Sequence, residues 1–510
     1  MDLVVTTALG QLRGTLDDGV PAFFGIPYAE SPSGTRRFRP PVPIAPWGDL
    51  REASQAGPIA PQPPPSPLLA IPGDPIDQSE DCLSLNIWIP SLNGEARPVM
   101  VFIHGGSFIT GTGSSSVYRG RWLAAQGDVV VVTVNYRLGA LGFLAHPALV
   151  DDDGAVGNYG LMDQVEALRW VSAHIGAFGG DPENVTVFGE SAGAMSVCSL
   201  LAAPSAQGLF HRAIVQSGPP FVHSTERAFE VSDHLCRSLG LEGATREDLE
   251  AIPAERLVKA VEELSSLPPA PGNIALPLLP VIDGVFLPRD PGEAIAAGSA
   301  AGISLMIGSN RDEMTIFSLG DPSLAAIDEG GLASWLELAM PGCDPAEVVM
   351  AYVAARTARG EPTDPSALWV ALASDVIFRW PSVVVAAQQS AHSDETYAYL
   401  FTYETPLFDG ILGSCHALEL PFVFGTLRHE AIGLFALGGE SNAAAEALSD
   451  EMIRTWSTFA RTGLPESPEH WTSFSPSTQA TRIFGPGGGQ HDRVRADELE
   501  AVGAVHLRQF

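Results

Sequence analysis

Short runs of β-branched and aromatic residues alternate with helical periodicity along most of this chain. Leu3–Thr7 and Gln11–Leu16 flank Gly10 and predict a small N-terminal hairpin within about residues 1–20. Leu85–Ile89, Val99–Ile103 and Val129–Asn135 are apolar nearly throughout, as strands buried on both faces are. Leu161, Val165, Leu168 and Val171 recur at helical spacing and predict a helix over 161–171. Val185–Phe188, Ala213–Gln216, Ser304–Ile307 and Thr396–Phe401 add further strands. The alternation implies an α/β fold, a mostly parallel sheet covered by helices on both faces. Such sheets carry their sites at the C-terminal ends of the strands. Pro58–Pro75 reads as a surface loop, and the helix-rich stretch Asp321–Ser393 as an insertion on one domain spanning 1–510.

Composition narrows the function classes. With 28 basic and 60 acidic residues in 510, the formal charge is −32, which argues against nucleic acid and anionic membranes as partners. Only one lysine, Lys259, is present, a bias that looks like genome composition. No uninterrupted apolar run is long enough to span a bilayer. Met1–Thr7 lacks a basic start and a cleavage pattern, so it reads as a first strand and not as a signal peptide. Five scattered cysteines, Cys82, Cys198, Cys236, Cys343 and Cys415, have no metal-ligand spacing and suggest reduced thiols in a cytoplasmic protein.

The chemistry is concentrated at Val185-Thr186-Val187-Phe188-Gly189-Glu190-Ser191-Ala192-Gly193. A strand ends at a glycine, a serine follows two residues on, and an apolar helix begins: the setting of a nucleophile elbow. The turn strains the backbone at Ser191 and demands small neighbours, which Gly189 and Gly193 supply. A hydroxyl at a helix N-terminus is placed where negative charge is favoured. Such a nucleophile needs a base, an orienting acid and oxyanion donors. The strand Val99–Ile103 runs into His104-Gly105-Gly106-Ser107-Phe108, whose small residues leave backbone N–H groups free to point into a cavity. The expected donors are the N–H groups of Gly106, Ser107 and Ala192, with Gly105 shaping the loop and His104 a structural hydrogen-bonder. Among twelve histidines, His416 lies in a Gly/Ser loop after a late strand, where the base belongs. Asp312 and Glu313 both follow the strand ending near Asn310, and spacing alone does not choose between them as the acid. Glu190, beside the nucleophile, is expected to line the pocket.

Together these segments resemble the type-B carboxylesterase family, which includes bacterial para-nitrobenzyl esterases, animal carboxylesterases and cholinesterases. The resemblance runs nearly end to end. It is carried by Phe24–Ala29, Ser79–Trp88, Asn135–Gly139, Phe178–Pro182, the elbow, Gln216–Gly218 and His416–Gly425. It implies the α/β-hydrolase fold, with helical insertions around the active-site mouth. It also implies a Ser191–His416–Glu313 triad, no cofactor or metal, and a small ester as substrate; a monomer or small homo-oligomer is expected, with no sequence feature choosing between them. Ser217 resembles a second buried serine that braces the acid–base pair. Met314 stands where the family has glycine after the acid, and Ser107 where many relatives have Gly or Ala. Gly57-Pro58-Ile59-Ala60-Pro61-Gln62 has alanine where secreted relatives have the cysteine that pairs with the counterpart of Cys82, so no disulfide is expected there. No aromatic residue lies between Ala60 and Cys82, which leaves choline recognition by cation–π stacking unsupported.

The function implied is hydrolysis of short- to medium-chain or aryl and benzyl esters through an acyl-enzyme. Activity should fall below a pH near 6 as His416 is protonated. The acyl and alcohol pockets are expected in the loop Ser265–Pro280 and in the 321–393 insertion. The alternatives are a hydrolase specialised for an amide, carbamate, polyester fragment or toxin ester and, remotely, an inactive esterase-like binding domain.

Overall fold

The buried β-branched runs assemble into one eleven-stranded sheet in a computed structural model that describes residues 3–65, 71, 73–74, 76–91, 95–265, 276–319, 321–466 and 470–503. Its strands are Thr15–Asp17 (β1), Val20–Pro27 (β2), Ser84–Trp88 (β3), Arg97–Ile103 (β4), Val130–Val134 (β5), Gly180–Glu190 (β6), Arg212–Gln216 (β7), Ser304–Asn310 (β8), Thr396–Phe401 (β9), Thr481–Phe484 (β10) and Gly489–His491 (β11). Their spatial order is 11-10-9-8-7-6-4-5-3-2-1. The strands from β5 through β10 pair in parallel, and antiparallel pairs close both edges.

Alternation along each central strand feeds two apolar cores. Val99, Val101 and Ile103 of β4 face a cluster built with helices Tyr159–His174 (α1) and Ala192–Ala202 (α2). Met100 and Phe102 face the other cluster, with Met452, Trp456 and Phe459 of Ala443–Thr462 (α3). Both faces are therefore covered, and polar chemistry is pushed to the strand ends.

The predicted hairpin forms between Val4–Thr6 and Gln11–Arg13, but the second run divides at Gly14. A Cβ at Gly14 would lie 2.5 Å from Ala22 O, so the missing side chain lets β1 leave the hairpin and pair with β2. Strand β2 itself is hidden in the sequence by Pro21, Gly25 and Pro27, residues that read as punctuation. A register shift between Phe23 and Ile26 absorbs Gly25, whose φ of +63° and 2.8 Å approach to Gln55 O admit only glycine without strain. The short strands β10 and β11 likewise escape sequence patterning.

The crossover from β8 to β9 carries the helix-rich stretch. Leu332, Leu336, Tyr352, Leu368 and Leu372 form a third cluster there, whereas Val385 and Ala386 of helix Trp380–Ser390 pack into the main core. Pro365–Ser390 is long and apolar enough to cross a membrane, but 61% of its apolar window is buried inside the fold. It also carries Asp375 and Arg379 in a π-helical turn. All five cysteines are free thiols, with Cys82 and Ala60 both buried. Of the two expected pocket segments, residues 266–275 lie outside the described residues, as do 66–70, 72 and 75 of the Pro-rich loop.

Candidate active site

The C-terminal ends of β4, β6, β8 and β9 bring the chemistry-bearing residues together. Strand β6 ends at Glu190, and Ser191 opens α2 with φ 56° and ψ −125°, a left-handed conformation costly for a non-glycine residue. Close packing imposes this turn. A Cβ on Gly193 would collide with Ile103 O, and one on Gly189 would come 2.5 Å from the Gly193 backbone. Gly218 is pressed in the same way against Ser191 O, and Ser191 N donates to Gln216 O at 2.9 Å. Ser191 is partly exposed, and its Oγ makes no hydrogen bond among the described residues.

Register places the glycine loop beside the elbow. Ile103 of β4 pairs with Gly189 of β6, so His104–Ser107 emerges against Glu190 and Ser191. A Cβ at Gly105 would sit 2.8 Å from Glu190 Oε2 and 2.9 Å from Ser191 Cβ. Gly106 and Ser107 both have positive φ, 110° and 58°. Glycine tolerates this freely, while serine is strained there by about 1–2 kcal/mol. Among the described residues no hydrogen bond engages the N–H groups of Gly106, Ser107 or Ala192. Unpaired donors beside a nucleophile are an anion site in waiting. His104 is buried, stacks on Tyr136 at 4.5 Å and keeps Nδ1 2.8 Å from Gly105 O. Burial holds its pKa down at about 4, so it stays neutral and braces the loop.

His416 and Glu313 arrive on the loops after β9 and β8. Asn310 and Phe401 end these strands in register, and Ser414 N donates to Asp312 Oδ2 at 2.9 Å, tying the two loops. His416 Nδ1 then lies 2.6 Å from Glu313 Oε2. Glu313 is fully buried, and its other oxygen accepts from Asn310 N at 2.7 Å. Asp312 instead pairs with Arg311 and makes no contact with the imidazole among the described residues. Met314 has φ −83°, open to any residue, so replacing glycine there brings no backbone strain.

His416 Nε2 stands 3.0 Å from Glu190 Oε1, without the alignment of a hydrogen bond. Burial opposes the imidazolium, and the charges of Glu190 and then Glu313 outweigh it, pushing the His416 pKa up to about 9. Burial pushes Glu190 up to about 8. Ser217 is buried with φ 53°, but among the described residues its Oγ has no hydrogen-bond partner and does not bond to Glu313 or His416.

Three features went unassigned in the sequence. Glu419 is fully buried and held by Gln216 Nε2 at 3.0 Å and Asn310 Nδ2 at 2.7 Å. A lone acid in the apolar run Leu418-Glu419-Leu420 was the available signal. Phe317 and Phe378 pack on the His416 ring at 5.1 and 5.0 Å. Phe378 comes from the π-turn of the insertion, and no local pattern announces that approach. Gln62 of the Pro-rich segment bonds Gly111, just past the glycine loop, and Gln78 in turn bonds Gln62. Among the described residues no cluster of three or more metal-ligating side chains occurs.

The arrangement can activate a hydroxyl and stabilise an anion beside it. Comparison with known proteins identifies the family. The carboxylesterase family profile matches residues 1–497. The para-nitrobenzyl esterase of Bacillus subtilis (strain 168) is 38% identical, with 94% of each chain covered. Phenmedipham hydrolase of Pseudarthrobacter oxydans is 36% identical over 97% of this chain and 98% of its own. The crystal structure of the Geobacillus stearothermophilus carboxylesterase EST55 superposes with a TM-score of 0.86 at 39% identity, covering 98% of this chain and 99% of that one. With that breadth of match, over the same elements that build the elbow, the glycine loop and the histidine loop, the chain belongs to the carboxylesterase family.

Proposed function

We propose that the protein hydrolyses short- to medium-chain or aryl and benzyl carboxylic esters through an acyl-enzyme on Ser191, His416 and Glu313. The observation that carries this reading is the 2.6 Å His416–Glu313 contact beside a strained serine and three unpaired N–H groups. Ser191 Oγ attacks the ester carbonyl carbon while its proton passes to His416 Nε2. Glu313 fixes the tautomer with the proton on Nδ1 and stabilises the imidazolium. Gly106, Ser107 and Ala192 hold the oxyanion, each donor contributing about 3 kcal/mol. The tetrahedral adduct collapses, the C–O bond to the alcohol breaks, and His416 protonates the leaving oxygen. Water then attacks the acyl carbon, giving its proton to His416, and Ser191 leaves with the proton returned. The proton transfer requires a Ser191–His416 hydrogen bond, which this reading has forming when substrate fills the site. Phe317 and Phe378 give the base an apolar wall, which suits neutral, apolar acyl or alcohol groups. A cytoplasmic location is part of this reading and fits the five free thiols.

Para-nitrophenyl esters from acetate to decanoate test the proposal. Turnover is expected to peak at short to medium chains. A folded wild-type protein that cleaves none of them would overturn it. Similarity to phenmedipham hydrolase favours a second reading, a hydrolase specialised beyond simple esters, so phenmedipham belongs in the same panel. Its turnover well above that of every simple ester would establish the specialised reading.

The acid limb should lie higher than the sequence alone suggests. The carboxylates of Glu190 and Glu313 favour the protonated imidazole, and His416 acts as a base only when neutral. Glu190 and His416 titrate as a pair. Activity therefore rises with pH, and the midpoint of kcat/KM is expected above about 6.5, the ordinary imidazole value. Glu190→Gln removes one raising charge and leaves the opposing burial, so the midpoint should move down. A pH–rate profile of both proteins checks this; an identical midpoint in the variant rules out the coupling.

A further inference from the structure

Gly111, whose backbone packs against the glycine loop, is held by the side-chain amide of Gln62, and Gln62 by that of Gln78. Gly111 N donates to Gln62 Oε1 at 2.8 Å, and Gln62 Nε2 donates to Gly111 O at 2.9 Å. One carboxamide thus satisfies both backbone groups of one residue, as a neighbouring strand would. Gln62 Nε2 also reaches Ala60 O at 3.0 Å. The pattern then repeats one step outward. Gln62 N donates to Gln78 Oε1 and Gln78 Nε2 donates to Gln62 O, both at 3.0 Å. Ile59 N to Asp77 O at 2.9 Å and Ser79 N to Ile59 O at 3.0 Å align the two segments.

Gly111 is the point where such a hold matters. Its φ is +108°, and a Cβ there would lie 2.5 Å from both Gly105 O and His104 Nδ1. Its backbone therefore lies directly on the first two residues of the loop. Across the same loop, Thr110 N and Thr110 Oγ1 donate to Gly106 O at 2.9 and 3.2 Å. The peptide that carries the Ser107 N–H is thereby fixed through its carbonyl. Gln62 is buried, so water does not easily replace its amide, whereas Gln78 is exposed.

We propose that Gln62 is a positioning residue for the oxyanion hole. Its carboxamide locks Gly111, and through it the Gly106–Ser107 donors, while Gln78 locks Gln62. This rests on the ester-hydrolase reading. Donors act only if they are already aimed where charge develops, so loosening the lock should affect the transition state more than substrate binding.

The test measures kcat and KM for para-nitrophenyl acetate in wild type, Gln62→Ala and Gln78→Ala. It adds the affinity for an aryl trifluoromethyl ketone, whose carbonyl takes up Ser191 Oγ as a hemiketal with its oxyanion in the hole. Gln62→Ala is expected to lower kcat on the order of 10- to 100-fold with KM little changed, and to weaken the ketone in proportion. Gln78→Ala should show the same split, more weakly. The exposed site of Gln78 also keeps the test usable if Gln62→Ala fails to fold. A purely structural role would lower the melting temperature and leave kcat and ketone affinity of the folded fraction unchanged, which overturns the inference. Unchanged kcat in both variants, or loss through KM alone, also overturns it while leaving the ester-hydrolase reading intact. Wild-type protein that neither cleaves esters nor binds the ketone overturns both.

Discussion

Ser191→Ala is expected to lower kcat for para-nitrophenyl acetate by about 10⁶-fold, leaving only the catalysis that the donors and binding provide. The fold should not suffer. Ser191 Oγ makes no hydrogen bond among the described residues, and alanine meets the same backbone strain at φ 56° as serine does. The loss therefore reports the missing nucleophile. A fluorophosphonate that adds to the wild-type serine should leave the variant's mass unchanged. A loss below about tenfold, or labelling that persists, means that another residue attacks.

The second large effect separates the two acids that the sequence leaves side by side. Glu313→Gln is expected to lower kcat by about 10⁴-fold. Glu313 Oε2 faces His416 Nδ1 and Oε1 accepts from Asn310 N, so the carboxylate uses both oxygens as acceptors. A glutamine has only one. Its NH₂ must confront either the Asn310 N–H or the imidazole Nδ1, and the second choice forces the wrong tautomer. Asp312→Asn should cost much less, because Asp312 bonds Arg311 and Ser414 N and serves the joint between the loops. Steady-state rates of the two variants decide the matter. A larger loss in Asp312→Asn would move the orienting role to that residue.

Particular residues show why some of this site was legible and some was not. Ser191, Gly189 and Gly193 announce themselves because a strand-to-helix turn so tight tolerates few side chains, and that constraint is written in five consecutive letters. The glycine loop is visible for the same reason. His416 is suggested by its loop and order along the chain, but its partner is ambiguous in one dimension. Asp312 and Glu313 are adjacent and spacing does not tell them apart; in the fold Glu313 meets His416 while Asp312 pairs with Arg311. Glu190 illustrates a further limit. Its place beside the nucleophile is plain, but its approach to within 3.0 Å of His416 Nε2, which changes the expected pH dependence, involves a residue over two hundred positions away.

The sequence by itself determined the α/β class, the central strands, the tight strand-to-helix turn at Ser191, the glycine loop and the chain order of the proposed serine, acid and base. These are local matters: backbone strain, side-chain volume and the two- or 3.6-residue period decide them within a few neighbours. It did not reveal β2, whose prolines and glycine mimic a loop, because the bulge that accommodates them is made by pairing with β3. Spacing left Asp312 and Glu313 open and only the family resemblance pointed to Glu313; the tertiary structure puts Glu313 against His416 and decided which aromatic rings, Phe317 and Phe378, wall it in. It also decided that Gln62 grips Gly111 beside the glycine loop and that Gln78 grips Gln62. Each of these depends on distance between segments remote in sequence, and such distances are set by sheet order and packing, not by any pattern a single segment carries.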